Sequence, residues 1–397
     1  MKIAHVTQYA QFQQFHYQDF KLATKQSEMG HEVYTVTSSK YAPVTRWQQL
    51  EKTLGKRELS PGTYKVANFI EYRLPVIAEY NGQVLVCGLN KALNMIQPDI
   101  VHAHGSLVFM SILAILLKNK NGYKLVCDDH MIPDYGSMNL TKKAYIHFYK
   151  NYFFPKLLLK KVDYFLPIAP DTLEWLQEEL LVPRDKIELI PLGADISLFK
   201  RSESERTLIR QMLGISNDDI LVIYAGSMRF EKRIDLLIYA ILPLMKEYSN
   251  LKLILLGRAN ESFETNIKQF IKKRRLSDKI VFHNSVEQDE LFKYYSAADI
   301  AVWPGSPSIT VFEALSTSLP VITTNSKWFS NIVKDGIALS FNSGDEEGLR
   351  SCLKRLIQDT KLRRNIGNKA RKVVEEKYSW RAIAKRTLRV YEKILNQ

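Results

Sequence analysis

The sequence predicts an α/β protein made of two doubly wound parallel sheets, one after the other. Short apolar, β-rich runs alternate with longer helical patterns almost throughout. Such alternation implies parallel strands joined by right-handed crossovers. The pattern restarts beyond Asp195. The twelve strand-like runs are too many for one ordinary sheet, so two are expected.

Taken in order, Lys2–Val6 is a first strand, and Glu32–Thr37 follows the turn at Gly30. Ile100–His104, Tyr123–Cys127, Tyr164–Ile168 and Ile187–Pro191 complete the first set. The second set is Ile220–Ala225, Lys252–Leu256, Ile280–His283, Ile300–Trp303, Val321–Thr323 and Ala338–Phe341. Helical patterns such as Ile234–Tyr248 and Glu261–Lys273 lie between them, and Tyr378–Leu395 reads as a closing amphipathic helix. The polar segment 196–218 suits a linker. In open parallel sheets ligands bind beyond the carboxyl ends of the strands, so the informative residues are those just after each one.

A length of 397 residues fits two domains. With 46% hydrophobic and 25% charged residues, the composition is that of an ordinary globular protein. Its formal charge of +14, from 56 Lys and Arg against 42 Asp and Glu, points to an anionic partner: nucleotide phosphates, a lipid surface or nucleic acid. Cys87, Cys127 and Cys352 lie far apart, which indicates neither a zinc site nor a disulfide framework. The start MKIAHVTQ reads as a strand rather than a signal peptide, and no run of about 18 apolar residues suggests a membrane span.

Five segments carry candidate chemistry. At the end of the seventh run, Gly226 opens a loop holding Arg229, Lys232 and Arg233 before a helix. Glycine lets the backbone approach a ligand, and cations there can neutralise a diphosphate. The same segment alone also reads as a solvated basic corner. After Trp303 a Pro/Gly/Ser loop leads to Ser308, the expected N-cap, with Ile309 and Thr310 at the helix start. Free amides there suit phosphate or sugar oxygens. Glu313 falls one turn on, on an apolar face, where a ribose diol would satisfy an otherwise costly carboxylate; a salt-bridged glutamate is the plain alternative. The run Asp128–Asp129–His130 follows another strand. Its adjacent residues point to opposite faces, which disfavours shared metal ligation. His130 suits a hydrogen bond to a donor sugar, although a lone histidine is more often structural. His102 and His104 share a strand face with no Cys, Asp or Glu beside them in sequence, and read as strand-end polar residues. Finally, segment 142–161 holds six lysines and no acid, interleaved with aromatics, which suits either an interfacial surface or a basic outer helix face. Pro155 is expected to break it.

Together these segments resemble the GT-B glycosyltransferases of family 4, the "group 1" transferases, nearly end to end. The resemblance rests on Gly30-His-Glu-Val33, Pro98-Asp-Ile-Val-His-Ala-His104, the run Ile187–Asp195, Gly226–Lys232, Leu253–Gly257, Tyr295-Ser-Ala-Ala-Asp299, Glu313-Ala-Leu315 with Leu319–Ile322, and Tyr378-Ser-Trp380. It implies two Rossmann-like domains facing a central cleft: an acceptor domain, residues 1–195 with helix 378–397, and a donor domain, 196–377. It implies that Gly226, Ser227, Lys232, Ser308, Ile309, Thr310, Glu313 and Val286 bind the nucleotide sugar. Among these, Lys232 would meet the diphosphate, Glu313 the ribose and the Asn284–Val286 region the base. His130, Lys232 and Arg229 would carry the catalysis.

Three departures stand out. Gly305 occupies the position of the first acid in the family's E-x7-E pattern. Ser227 replaces its loop arginine, for which Arg229 is a substitute. The loop Tyr9–Gln18 lacks the paired glycines and is expected to serve the acceptor.

The activity implied is transfer with retention of configuration, from a UDP-sugar or else a GDP-sugar to a glycan or lipid-linked acceptor. No metal and no other cofactor is expected, because cations and helix amides would stabilise the departing diphosphate. Residence in the cytoplasm, peripheral to the inner face of the cell membrane, is expected, with no nucleic acid as partner. The alternatives are a nucleotide-sugar epimerase, or a catalytically weak protein that binds nucleotide sugar or a membrane surface.

Overall fold

The structure is a computed structural model and describes residues 1–10, 18–43, 55–130, 140–259 and 261–397. Most of the loop Tyr9–Gln18 lies outside the described residues. The chain divides into two compact units, Met1–Leu192 with Ile383–Gln397, and Gly193–Ala382. The sequence expectation divided it at 195/196 and began the closing helix at Tyr378. Among the described residues no helix is long and apolar enough to cross a membrane.

The first unit is built on a seven-stranded sheet in the order β3-β4-β2-β1-β7-β8-β9. Its central strands are β1 (Lys2–Val6), β2 (Glu32–Ser38), β7 (Ile100–His104) and β8 (Lys124–Asp129), with β9 (Tyr164–Pro167) at one edge. These pair in parallel, as near-continuous apolar strands covered on both faces do. At the other edge, β4 (Phe69–Leu74) pairs in parallel with β2, while β3 (Gly62–Val66) pairs antiparallel with β4. Strands β5 (Val76–Tyr80) and β6 (Gln83–Val86) form a separate antiparallel hairpin. This first sheet is therefore mixed rather than purely parallel, because β3 returns directly onto β4 without a crossover helix.

The expected strand at Ile187–Pro191 is not one. It makes a single bridge, Ile187 to Phe165, and donates Glu188 N–H to Phe165 O (3.1 Å) and Ile190 N–H to Pro167 O (3.0 Å). Pro167 has no N–H to return, so the ladder stops.

The second unit carries a six-stranded parallel sheet in the order β12-β11-β10-β13-β14-β15. Its strands are β10 (Ile220–Ala225), β11 (Leu251–Leu256), β12 (Ile280–His283), β13 (Ile300–Trp303), β14 (Val321–Thr324) and β15 (Ala338–Phe341). The doubly wound order, with neighbours β10 and β13 at the centre, places the turns after these two strands where ligands bind. The core runs from Leu221–Ala225 through Leu253–Leu256 and Ile300–Trp303 to the helix containing Leu349 and Leu353.

The expected linker at 196–218 contains a helix, Glu203–Met212, capped by Ser202. Its Arg210 is fully buried and donates to Ala297 O (2.9 Å) and Asp219 O (2.6 Å), while Arg206 pairs with Asp299 at 2.8 Å. The polar residues are thus spent on buried carbonyls rather than on solvent. Pro155 does not break the lysine-rich segment either. Helix Leu140–Phe148 runs into a wide π-type turn, Tyr149–Leu158, that contains Pro155. The bonding there skips five residues, as in Leu159 N–H to Phe154 O (2.9 Å), and the widened turn accommodates the missing donor.

Candidate functional site

In the second unit, the loops after β10, β12 and β13 converge. Gly226 (φ +146°) ends β10, and Gly257 (φ +146°) ends β11 beside it. A Cβ on Gly257 would sit 1.8 Å from Gly226 O, so the two turns pack backbone to backbone. The Gly226 loop continues through Ser227, whose carbonyl accepts from Tyr224 OH (2.6 Å), to exposed Arg229 and the short turn Phe230–Lys232. Half-buried Lys232 donates to Ser306 O (3.1 Å) and Pro307 O (2.7 Å), which ties this loop to the one after β13. Burial lowers the Lys232 pKa from its ordinary value, with Glu231 opposing the shift.

Gly305 lies in the same clasp. A Cβ there would meet Glu231 O at 2.2 Å and the Lys232 carbonyl carbon at 2.5 Å. Ser306 N–H in turn donates to Glu231 O (2.9 Å). Where the family pattern has an acid, this chain has no room for any side chain, because the Glu231–Lys232 backbone occupies the space.

The helix beyond this loop is Thr310–Ser316, and its N-cap position is Ile309 rather than the expected Ser308. Ile309 has no side-chain oxygen to cap with. Ser308 Oγ instead lies 2.6 Å from Thr310 Oγ1 and accepts Thr310 N–H at 3.4 Å. The helix start is pinned to the end of β10: Thr310 Oγ1 and Trp303 Nε1 both donate to Ala225 O, at 3.2 and 3.1 Å.

Glu313 is 4% exposed. Gln288 Nε2 donates to its Oε1 at 2.9 Å, and its Oε2 has no hydrogen-bond partner among the described residues. Burial pushes the carboxyl pKa up to about 7, with only the Gln288 bond opposing it. Gln288 was not singled out from sequence; it sits in a loop with no periodic pattern to mark it. Val286, half-buried against the core, lies on the same loop, and Arg258 donates to neighbouring Ser285 Oγ (3.2 Å). Gly226, Ser227 and Lys232 thus lie on the loop after β10, Ser308 and Ile309 on the loop after β13, Thr310 and Glu313 in the helix that follows it, and Val286 on the loop after β12.

In the first unit, the carboxyl ends of β1, β7 and β8 hold a buried polar network. Asp128 is fully buried at its centre. Its Oδ2 is 2.7 Å from His104 Nδ1 and 3.3 Å from His102 Nε2; its Oδ1 accepts Gly105 N–H (3.2 Å) and is 3.3 Å from His130 Nε2. His104 Nε2 is 3.0 Å from His5 Nδ1, and His5 Nε2 is 2.8 Å from Gln26 Oε1. His102 Nδ1 meets Tyr391 OH of the closing helix (2.6 Å). His102 and His104 do share a face, with their rings stacked at 4.5 Å.

Burial alone would raise the Asp128 pKa, but His104 and His130 hold it well below the carboxylate range. Burial lowers His5 and His102 and favours their neutral forms. His130 is about one-third exposed, at 36%. Desolvation pulls its pKa down, and Asp128 overrides this to raise it above the ordinary value. Asp129 points the other way, as adjacent strand residues must. It accepts Ser106 N–H and Oγ–H, both at 2.8 Å, and burial pushes its pKa up to about 7. Two groups, His5–His102–His104 and His104–Asp128–His130, bring possible metal-ligand atoms within 4.8 Å of one another. Both ring nitrogens of His5 and of His104 are already engaged within the network. Sequence reasoning missed His5 and the meeting of Asp128 with His104, because they come from different strands.

The chain matches the family model "Glycosyltransferase Family 4" over residues 20–198 and "Glycosyl transferases group 1" over residues 205–373. It is 29% identical over 219 residues to an uncharacterised glycosyltransferase, MJ1607, of Methanocaldococcus jannaschii, covering 53% of this chain and 55% of that one. It is 26% identical over 253 residues to the lipopolysaccharide 1,2-N-acetylglucosaminetransferase of Salmonella typhimurium, covering 58% and 65%. The chain thus spans little more than half the length of these relatives. Among solved structures, Anabaena Alr3699/HepE in complex with UDP superposes with a TM-score of 0.71 at 15% identity, over 99% of this chain and 100% of that one, a likeness of fold.

Proposed function

Since this chain belongs to the group 1 glycosyltransferases, we propose that it transfers a sugar, with retention of configuration, from a nucleotide-sugar donor to a glycan or lipid-linked acceptor. The observation that carries the reading is Glu313. A buried carboxylate with one oxygen unpartnered is costly unless a ligand supplies donors. A ribose diol supplies two. The turn at Gly226 and half-buried Lys232 lie on one neighbouring loop, suited to the diphosphate. A UDP-sugar is the favoured donor, supported by the UDP complex of the Anabaena neighbour, with a GDP-sugar second. The lipopolysaccharide transferase among its relatives supports a glycan or lipid-borne acceptor.

As the bond to the leaving diphosphate breaks, negative charge builds on its β-phosphate. Lys232 and Arg229 answer that charge, and the positive end of the helix Thr310–Ser316 dipole adds to them. In this reading no metal is required, and the acceptor hydroxyl attacks from the face the diphosphate leaves. His130, oriented by Asp128, hydrogen-bonds the donor sugar. Gly305 offers the sugar no side chain, so selection among sugars falls to other groups.

A donor screen tests this. Purified protein is offered UDP-, GDP- and ADP-sugars, following thermal stabilisation and slow release of the nucleoside diphosphate. Stabilisation by one nucleotide, with release that Glu313→Ala abolishes, is the expected outcome. No response from folded protein to any nucleotide overturns the assignment.

A further inference from the structure

Buried side chains of the first unit close a circle at the ends of β1, β7 and β8. Asp128 Oδ2 meets His104 Nδ1 (2.7 Å), and His104 Nε2 meets His5 Nδ1 (3.0 Å). His5 Nε2 meets Gln26 Oε1 (2.8 Å), and Gln26 Nε2 meets Tyr391 OH (3.4 Å). Tyr391 OH meets His102 Nδ1 (2.6 Å), and His102 Nε2 returns to Asp128 Oδ2 (3.3 Å). No member is more than 9% exposed.

The hydrogens of this circle can be counted. A closed circle has one link for each member, and each link takes one hydrogen. A neutral histidine brings one, and so does a tyrosine hydroxyl. Gln26 donates from one end of its amide and accepts at the other, whichever way the amide is turned. Ionised Asp128 brings none. With every ring neutral the circle is therefore one hydrogen short, and at one link two lone pairs face each other in the interior, which is costly. In the orientation shown, the gap falls between His5 and His104. Turning the Gln26 amide over moves it to the link between Asp128 and His102 Nε2, which has no other partner among the described residues.

One added proton closes the circle, and the neighbours say where it sits. Asp128 stays ionised: Gly105 N–H donates to its Oδ1 (3.2 Å) and Gln18 Nε2 to its Oδ2 (3.3 Å). Against burial, its pKa is held well below the carboxylate range, with His104 first among the groups that lower it. Burial favours the neutral forms of His5 and His102. His104 stands between two acceptors, the Asp128 carboxylate and the His5 nitrogen left bare when the other donates to Gln26.

We propose that His104 is a buried imidazolium paired with Asp128, and that it governs the charge of His130 across that shared carboxylate. Nitrogens of His104 and His130 and an Asp128 oxygen lie within 4.8 Å of one another, so a cation on His104 opposes a second one on His130. His104 is thus a positioning residue, acting through Asp128 rather than on the sugar. Around it the titratable groups are Asp128, His5, His102 and Tyr391 of the circle and His130 beside it. Asp129 turns away to Ser106, and Asp19 acts on His130. The part played in transfer rests on the transferase reading; the count of hydrogens does not.

The test uses the full chain with isotope-labelled histidine and NMR near neutral pH. His104 is expected to show an N–H at both ring nitrogens, one of them coupled across its hydrogen bond to the His5 nitrogen. A His104 with a single N–H overturns the proposal, and that measurement needs no variant. His104→Gln keeps a neutral donor toward Asp128 and removes the charge. The His130 titration is then expected to rise by about one pH unit, a tenfold gain in proton affinity, and any pH–rate limb belonging to His130 to move with it. If His104 were neutral, the substitution would exchange one neutral donor for another, so an unmoved His130 titration in folded variant overturns the proposal. A divalent ion between His5 Nδ1 and His104 Nε2 would bring the same positive charge, and metal analysis finding one per chain in the purified protein overturns it too. A doubly protonated His104, in protein that turns over no nucleotide sugar, leaves the proposal standing and sinks the transferase reading alone.

Discussion

Glu313→Gln separates the energetic cost of a buried carboxylate from its use. The Glu313 pKa rises from 4.5 in the unfolded chain to about 7 in the empty site. Below pH 4.5 both states are protonated and the group contributes nothing to the pH dependence. Between these values the unfolded chain has released its proton and the folded one has not, so stability falls as pH rises. Above about 7 the loss is complete. A shift of that size corresponds to about 3 kcal/mol. Gln is nearly isosteric and neutral, and it still accepts the Gln288 amide. The variant is therefore expected to be more stable than wild type at pH 8 by roughly 2–3 kcal/mol, and to match it near pH 4.5, in urea melts. Asp129, also pushed up to about 7, adds a slope of the same sign to both proteins and cancels in the difference. Binding should run the opposite way. A ribose diol favours the ionised carboxylate, so UDP binding near pH 7 releases a proton, visible as a buffer-dependent heat in calorimetry. The Gln variant should show no such release and bind roughly 5–30-fold more weakly, the difference between charged and neutral acceptors. Equal stability of the two proteins at pH 8 would refute the unpaired-carboxylate argument. Proton release by the Gln variant would refute the ribose assignment.

Three further outcomes follow from the geometry. Gly305→Glu, which restores the family's acid, forces its Cβ onto the Glu231–Lys232 backbone, and is expected to cost about 2–4 kcal/mol in denaturant melts and to lower turnover rather than raise it. Lys232→Met removes the cation facing the developing diphosphate charge and should lower kcat by about 10²–10³ with an unchanged circular dichroism spectrum; a loss under tenfold argues against its role. Asp128→Asn removes the charge that raises His130, so the His130 titration followed by NMR should move to lower pH, and any pH–rate limb belonging to His130 should move with it.

The fold was legible where the physics is local. Buried parallel strands read as apolar runs, so β10 (Ile220–Ala225) and β13 (Ile300–Trp303) stood out. Edge strand β3 and its neighbour β4 did not, because Thr63, Lys65 and Ile70 are exposed and break the apolar run. Ile187–Pro191 looked like a strand by composition, and only its partner's proline shows why it is not one. The site followed the same rule. Their places after strands marked Lys232 and Glu313 as candidates, and it was the resemblance, not the local pattern, that chose the ligand reading over a solvated or salt-bridged one. The Gln288 bond, the His5–His104 contact and the closure of space around Gly305 join residues 25, 99 and 74 positions apart or in separate loops, which no local pattern encodes.

The buried carboxylates Asp128 and Glu313 differ in kind, one in each unit. Asp128 is buried yet satisfied: His104, His102, His130, Gln18 and the Gly105 amide surround it, and its pKa is low. Both Asp128 oxygens thus have partners in the empty fold, one of them the His130 ring. Glu313 is buried and half satisfied, with a pKa near neutrality. Its remaining oxygen is paired only when a ligand brings a donor, so binding recovers free energy that the empty fold forgoes. A buried acid left in this state lowers stability, and the chain keeps it in the helix that follows the loop held by Lys232. On the proposed reading Glu313 responds to the arrival of the donor, whereas Asp128 meets His130 in the empty fold.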